Sequence, residues 1–125
     1  MELNMWTASV PMFVNTLGDM RAWLDKAAAE KDEAVLLEGR LAPDMRPLPA
    51  QYQMASDTAK NALARLTGRE APAMADTEQS FAELRERCDK TIAFLNDFDA
   101  ASLIGSEARE VELKFPNGMG YRWVE

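Results

Sequence analysis

The first predicted helix carries more apolar surface than one neighbouring helix can cover, and this limits how the chain can fold. Residues 5–30 have the apolar spacing of an α-helix. The main apolar stripe of this helix comprises Trp6, Val10, Phe13, Leu17, Leu24 and Ala28, with Val14 and Met20 beside it. A second strip, formed by Met5, Met12 and Trp23, lies roughly 110° from the centre of the first. The helix therefore needs neighbours on two sides.

Helix boundaries near the N-terminus follow from capping and breaking residues. For the first helix, Pro11 leaves two possible starts. Either Ser9 is the N-cap and Pro11 lies in the first turn, or the helix begins earlier and kinks at Pro11. After this helix, Asp32 can cap a short helix that runs through Leu37 and ends at Gly39.

A second long helix follows the proline-containing loop at 41–49 and ends at Gly68. Its apolar face comprises Leu48, Tyr52, Ala55, Ala59, Ala62, Leu63 and Leu66. We expect the side chains of Gln53, Asp57 and Lys60 to point away from that face, towards solvent.

A third long helix is predicted to open at Asp76, because Gln79 stands where a capping box needs it. The apolar stripe of this helix comprises Phe81, Leu84, Cys88, Ile92, Leu95 and Phe98. Residues 99–105 then resemble a turn or a short irregular helix.

The periodicity changes from helical to alternating after Glu107. Alternating apolar residues at 111–115 and at 121–123 flank a glycine-containing stretch, and this pattern predicts a β-hairpin with Asn117-Gly118 at the turn. Because a two-stranded hairpin is marginal in water, we expect its apolar face to lie on the helices. The prediction is a mainly α, up-and-down bundle of three long helices and a short one, with a C-terminal β-hairpin, in a single domain over residues 1–125.

Composition excludes several classes of function. The chain has 14 Lys and Arg against 21 Asp and Glu, a net charge of −7, so it repels phosphate backbones and anionic lipid headgroups. We therefore predict no nucleic-acid partner and no membrane partner. The absence of histidine removes the commonest metal ligand and general base. A single cysteine and the lack of a signal peptide fit a cytoplasmic protein.

Catalytic and metal-binding candidates are weak. Cys88 lies on the core stripe of its helix, where a thiol is buried and inert, so we assign no catalytic residue. The carboxylates lack the spacing of a metal site, and we predict no metal and no cofactor. We expect outward-facing i,i+4 pairs instead, from Glu83 to Arg87 and from Glu86 to Lys90.

Two sets of residues remain as binding candidates. Gln51 and Tyr52 open the second long helix and could line the rim of a cavity at one end of the bundle, although Tyr52 also fits as a packed residue with its hydroxyl at the rim. An interface is the second possibility. Tryptophan and methionine are enriched in interface cores, and the candidates are Met5, Met12, Trp23 and Trp123.

Several stretches together carry a resemblance to a known family: ASVPMF at 8–13, LAPDM at 41–45, ARLTG at 64–68, DTE at 76–78, SFAEL at 80–84 and FPNG at 115–118. Their order and spacing resemble the uncharacterised bacterial family DUF1993, within the DinB/YfiT-like superfamily of four-helix bundles. The resemblance implies a DinB/YfiT-like bundle. Many superfamily members hold a divalent metal with three histidines, and this sequence has none. The family also implies a fourth, aromatic-rich helix after the hairpin, relative to which the sequence is C-terminally incomplete.

These observations suggest two functions. The uncovered apolar stripes favour a non-catalytic module that binds a partner or itself, most simply as a homodimer across a two-fold axis. Two alternatives to the homodimer remain. The chain is a truncated fragment, or it repacks as a three-helix bundle that covers these stripes. The resemblance also suggests an enzyme related to DinB-like bundle enzymes, which binds small molecules or binds or transfers thiols without a metal; its ligand is unknown.

Overall fold

The computed structural model describes residues 2–115 and 118–123, apart from the side chains of Lys114, Tyr121 and Trp123. The described elements are α1 (Val10–Glu30), α2 (Glu33–Leu37), α3 (Leu48–Thr67), α4 (Phe81–Asn96), β1 (Val111–Lys114) and β2 (Gly120–Trp123). Two short 3-10 helices, Ala100–Leu103 and Ser106–Ala108, connect α4 to the hairpin. The predicted fold class, a mainly helical bundle with a C-terminal hairpin, is confirmed.

The core forms where α4 packs against both α1 and α3, which contact each other much less. Its buried apolar side chains come from all three long helices and from the segment after α4. They are Val10, Leu17, Met20, Leu24, Tyr52, Ala59, Leu63, Phe81, Leu84, Cys88, Leu95, Phe98 and Leu103. None of the described helices is both long and apolar enough to cross a membrane.

The start of α1 follows the first of the two alternatives. Ser9 is the N-cap residue and Pro11 occupies the first turn, where its missing N–H removes no helical hydrogen bond. The Ser9 hydroxyl donates to the Met5 carbonyl instead of capping the helix. Ala28 is predicted on the main stripe but is exposed. Near the end of α1, the residues that face the core are instead Leu24, which is buried, and Ala27, which is half-buried.

The start of α4 corrects the prediction that Asp76 and Gln79 open this helix. The helix begins at Phe81, and the Ser80 hydroxyl accepts a hydrogen bond from the Glu83 backbone N–H at 3.1 Å. The Glu83 carboxylate in turn accepts from the Gln79 N–H at 2.8 Å. Ser80-Phe81-Ala82-Glu83 is itself a capping-box sequence, so the correct start was visible in the pattern. The predicted Asp32 cap of α2 is confirmed, since its carboxylate accepts from the Ala34 N–H at 2.9 Å.

The hairpin is confirmed, but its described apolar side chains lie outside the core. Strands β1 and β2 are antiparallel, with Val111 opposite Trp123 and Leu113 opposite Tyr121. The expectation that the hairpin face packs on the helices is wrong for Val111 and Leu113, which are half-buried, and for Phe115, which is 44% exposed. The core is closed on this side by Phe98 and Leu103, from the segment before the hairpin. Of the predicted turn, Asn117 lies outside the described residues.

Gly68 ends α3 in a conformation that other residues adopt at a cost. Its φ is +74°, in the left-handed region, and its N–H donates to the Ala64 carbonyl at 2.8 Å. A Cβ built at this position would lie 2.2 Å from a guanidinium nitrogen of Arg109. The backbone therefore favours glycine here, whereas the flexible, exposed Arg109 side chain could move away from a Cβ.

Gly68→Ala is expected to lower the free energy of unfolding by about 1–2 kcal/mol, because alanine is strained at positive φ. Gly18→Ala is the matched control, since Gly18 lies inside α1 and a Cβ there meets no atom within 4 Å. The control should raise the free energy of unfolding by about 0.5–1 kcal/mol. Urea denaturation of both variants measures this, and equal effects of the same sign would contradict the assignment.

Candidate functional site

The apolar strip predicted on α1 is largely uncovered. Met12 is 53% exposed and Trp23 is 58% exposed, whereas Met5 is half-buried and packs against the core. We call Met12 and Trp23 the α1 strip. For the remaining interface candidate, Trp123, the structure describes the backbone in β2 but not the side chain.

The α1 strip lies on the side of α1 that faces away from α4. Arg21 pairs with Asp89 at 2.7 Å, and Asp25 pairs with Arg85 at 2.7 Å, so Arg21 and Asp25 mark the side that faces α4. At about 100° per residue, the α1 strip projects roughly 160–180° from that side. Helix α4 therefore cannot cover it.

A second, half-buried apolar edge runs along α3, formed by Leu48, Ala55, Ala62 and Leu66. The Tyr52 hydroxyl joins α3 to α1 by donating to the buried Met20 carbonyl at 2.6 Å. These four side chains pack against the core on one side and remain partly exposed on the other. Uncovered apolar surface is therefore present on α3 as well as on α1.

The two cavity candidates point in different directions. Gln51 lines a pocket of about 370 Å³ where α2 ends and α3 begins. Tyr52 is 5% exposed and points into the core, where burial raises the pKa of its phenol to about 12. Adjacent residues of a helix project about 100° apart, so the two side chains do not share one rim.

Cys88 is buried, as its position on the core stripe predicts. It is 2% exposed, and burial, reinforced by the charge of Asp89, raises the pKa of its thiol to about 11. A thiol that stays protonated near neutral pH is a poor nucleophile, so the residue acts as a small core side chain.

The feature that sequence reasoning missed is a cluster of charged side chains around a buried arginine, beside α3 and α4. Arg87 is only 3% exposed. Its guanidinium donates to Glu78 at 2.9 Å, to Asp76 at 3.1 Å and to Asp57 at 2.8 Å. The predicted pair of Glu83 with Arg87 is therefore wrong, whereas the predicted pair of Glu86 with Lys90 forms at 3.0 Å. We call Arg87, Asp57, Asp76 and Glu78 the Arg87 cluster.

This cluster fastens the connecting segment, residues 68–80, to the helices. Arg87 also donates to the Ala75 carbonyl at 3.1 Å, and the Lys60 ammonium donates to the Pro72 carbonyl at 2.8 Å. The expectation that Lys60 points to solvent is wrong: it is 6% exposed, because the connecting segment covers that face of α3. The predicted outward position of Gln53 is modified too, since its amide donates to Glu78 at 2.9 Å.

Hydroxyl groups continue this polar contact between α3 and α4. Thr91 is fully buried, and its hydroxyl donates to the Arg87 carbonyl at 2.8 Å. The Ser56 hydroxyl, 2.7 Å away, is then the donor to the Thr91 oxygen. Ser56 and Thr91 lie on the core-facing stripes of α3 and α4. Arg87 lies three residues after Leu84 and four residues before Thr91, on the same side of α4. Helical spacing alone could have placed Arg87 on the buried side.

Electrostatics in the cluster favour the charged forms. Burial by itself would raise the pKa of Glu78, but the hydrogen bonds from Arg87 and Gln53 outweigh it and hold that pKa below its usual 4.5. Burial would likewise lower the pKa of Arg87, yet its contacts with Glu78 and the charges of Asp57 and Asp76 raise it. The terminal guanidinium nitrogens are already bonded to protein groups, so the cluster serves to hold the connecting segment in place. Among the described residues, no three acidic or cysteine side chains are arranged to hold a metal ion.

Arg87→Met is expected to lower the free energy of unfolding by about 3–5 kcal/mol, because it breaks the buried pair with Glu78, whose side chain is only 11% exposed. The matched control is Arg21→Met, whose side chain is 41% exposed in its pair with Asp89 and should cost at most about 1 kcal/mol. Chemical denaturation measures both. Arg87→Lys tests the same point if the methionine variant does not fold, and a loss as small as that of Arg21→Met would contradict the role.

Stability should depend on pH through Glu78. Because its pKa is lower in the folded chain than in the unfolded one, Glu78 stabilises the fold fully above its usual value of 4.5 and loses this contribution as pH falls through the lowered folded value. The difference in unfolding free energy between the wild type and Glu78→Gln should be constant between about pH 5 and 7 and shrink below that range. Urea titrations at a series of pH values measure it, and a difference independent of pH would contradict the contribution.

Comparisons with known proteins agree with this architecture. The family model for DUF1993, a domain of unknown function, matches residues 5–123. A crystal structure of a DinB family member protein from Shewanella denitrificans is similar, with 35% sequence identity and a TM-score of 0.81 over 93% of this chain and 68% of that chain. No curated protein matches the sequence significantly. The chain therefore belongs to the DUF1993 family and has a DinB-like fold.

Proposed function

We propose that the protein is a non-catalytic helical module that associates with a second copy of itself through the α1 strip. The observation that carries this proposal is the exposure of Met12 and Trp23 on the side of α1 that α4 cannot reach. Large exposed apolar side chains grouped on one face are typical of interaction surfaces.

The spacing along α1 suits a two-fold contact. Met12 and Trp23 are eleven residues apart, about 16 Å along a helix, with Thr16 and Asp19 between them. If two α1 helices pack antiparallel about an axis between positions 17 and 18, Met12 of one copy faces Trp23 of the other. By the same relation Thr16 faces Asp19, which offers a hydroxyl to a carboxylate. Two copies of the strip can therefore contact each other in a symmetric arrangement.

Net charge sets the expected salt dependence of this association. Each copy carries −7, so two copies repel each other at long range and the attraction must come from apolar contact. Added salt screens the repulsion. Self-association should therefore strengthen as ionic strength rises, whereas binding to a basic partner would weaken.

Sedimentation equilibrium of the wild type should show a reversible monomer–dimer equilibrium at micromolar concentration. Trp23→Glu should weaken dimerisation at least about tenfold, because it removes a large apolar side chain from each end of the contact and puts a charge in its place. The matched control is Val35→Glu, since Val35 is also an exposed apolar helical residue, 68% exposed, but lies on α2. This control should change the dimerisation constant less than about twofold.

The proposal fails if the wild type remains monomeric at micromolar concentration and high salt. It also fails if both variants weaken association equally, since that would place the contact elsewhere. Circular dichroism and urea denaturation establish that the variants keep the fold, so that a loss of association reports on the contact itself.

A further inference from the structure

The pocket between the end of α2 and the start of α3 is separate from the α1 strip and combines an apolar interior with positive charge. Its volume is about 370 Å³, within the range of small-ligand sites. Leu36 and Leu48 line it from the two helices, and Met45 lines it from the loop between them. All three side chains are half-buried, so the interior is apolar and only partly open to water.

The pocket walls are held by hydrogen bonds within the protein. The Gly39 N–H donates to the Leu36 carbonyl at 3.0 Å, and the Leu48 N–H donates to the Gly39 carbonyl at 3.1 Å. On the loop side, the Arg40 guanidinium donates to the Met45 carbonyl at 2.7 Å. These bonds close the loop upon itself and onto α3, so the pocket exists before any ligand binds.

The opposite wall is fixed through Gln51, whose side-chain amide donates to the Arg46 carbonyl at 3.1 Å. This bond uses the Arg46 backbone and leaves its guanidinium available. Among the described contacts, that guanidinium has no hydrogen bond and no ion pair. Arg46 thus presents a complete set of N–H donors at the pocket.

Positive potential at the pocket comes from two arginines. Arg40 and Arg46 line it, and no carboxylate is among its described lining residues. The start of α3 offers a ligand little, because the Leu48 N–H donates to the Gly39 carbonyl, Pro49 has no N–H and the Ala50 N–H donates to the Pro47 carbonyl. The free guanidinium of Arg46 is therefore the group that a ligand anion would meet.

We propose that this pocket binds a small carboxylic acid with an apolar body. The apolar part of the ligand occupies the space between Leu36, Met45 and Leu48. Its carboxylate pairs with the Arg46 guanidinium, whose planar fork matches a carboxylate. In a chain with a net charge of −7, the absence of carboxylates from these walls gives the pocket its preference for an anion.

Sodium octanoate is the probe for this site. In two-dimensional NMR titrations of the full chain, octanoate should shift the amide signals of residues 39–51, and isothermal titration should give a saturable binding curve. Octylammonium and 1-octanol carry the same alkyl chain with a positive or an uncharged head. Both should bind at least about tenfold more weakly than octanoate.

Two arginine variants locate the binding site. Arg46→Gln removes the free guanidinium without touching the backbone bond to Gln51, and it should weaken octanoate binding at least about tenfold. Arg65→Gln is the matched control, because Arg65 is also an exposed arginine but lies in the last turn of α3, at the other end of that helix from the pocket. The control should leave the dissociation constant within about twofold.

Trp23→Glu separates this site from the α1 strip and should bind octanoate as the wild type does. The proposal is overturned if octanoate does not bind, if octylammonium binds equally well, or if Arg46→Gln and Arg65→Gln weaken binding equally. Loss of octanoate binding in Trp23→Glu would also overturn it, since the ligand would then occupy the apolar strip. None of these outcomes depends on whether the protein dimerises.

Discussion

The packing of α4 against both α1 and α3 is the contact on which the rest of the structure depends. Phe81, Leu84, Cys88 and Leu95 of α4 are all buried in the core. The burial of Leu17, Met20 and Leu24 in the same core sets the rotation of α1 about its axis. The surface ion pairs of Arg21 and Asp25 with α4 are consistent with that rotation. Once α1 is oriented in this way, Met12 and Trp23 must point to the opposite side. The exposed strip is thus a direct consequence of how the core is built.

A second constraint is electrostatic. Arg87 lies on the buried side of α4, and a buried guanidinium needs counter-charges. Asp57 comes from α3, while Asp76 and Glu78 come from the connecting segment. The same residue therefore holds two helices and a loop together, and the loop in turn buries Lys60. The connecting segment is thus held against the helices by these contacts, although most of its residues remain exposed to solvent.

The two proposed binding regions differ in their chemistry. The α1 strip is apolar with polar residues between its two large side chains, which suits contact with another copy. The pocket beside α3 is apolar inside and carries two arginines, which suits a small anion. Leu48 belongs both to the half-buried edge of α3 and to the pocket wall, so the pocket adjoins the uncovered side of α3. Neither region uses Cys88, whose thiol is buried among core side chains.

The amino-acid sequence was enough to predict the helices, their caps at Asp32 and Gly68, the hairpin and the burial of Cys88, because these depend on local spacing and backbone chemistry. The sequence also predicted that Gln51 lies at the start of the second long helix, and the pocket is found there. The environments of Arg87 and Lys60 depend on tertiary contacts, since the acids and carbonyls bonded to them are 9–30 residues away in the chain, apart from Asp57 beside Lys60. The start of α4 at Phe81 was predictable from the capping box that opens at Ser80, whereas the contact of Asp76 with Arg87 depends on the tertiary structure. The position of the hairpin outside the core is likewise a tertiary result, as alternation shows that one face of a strand is apolar but not what covers it.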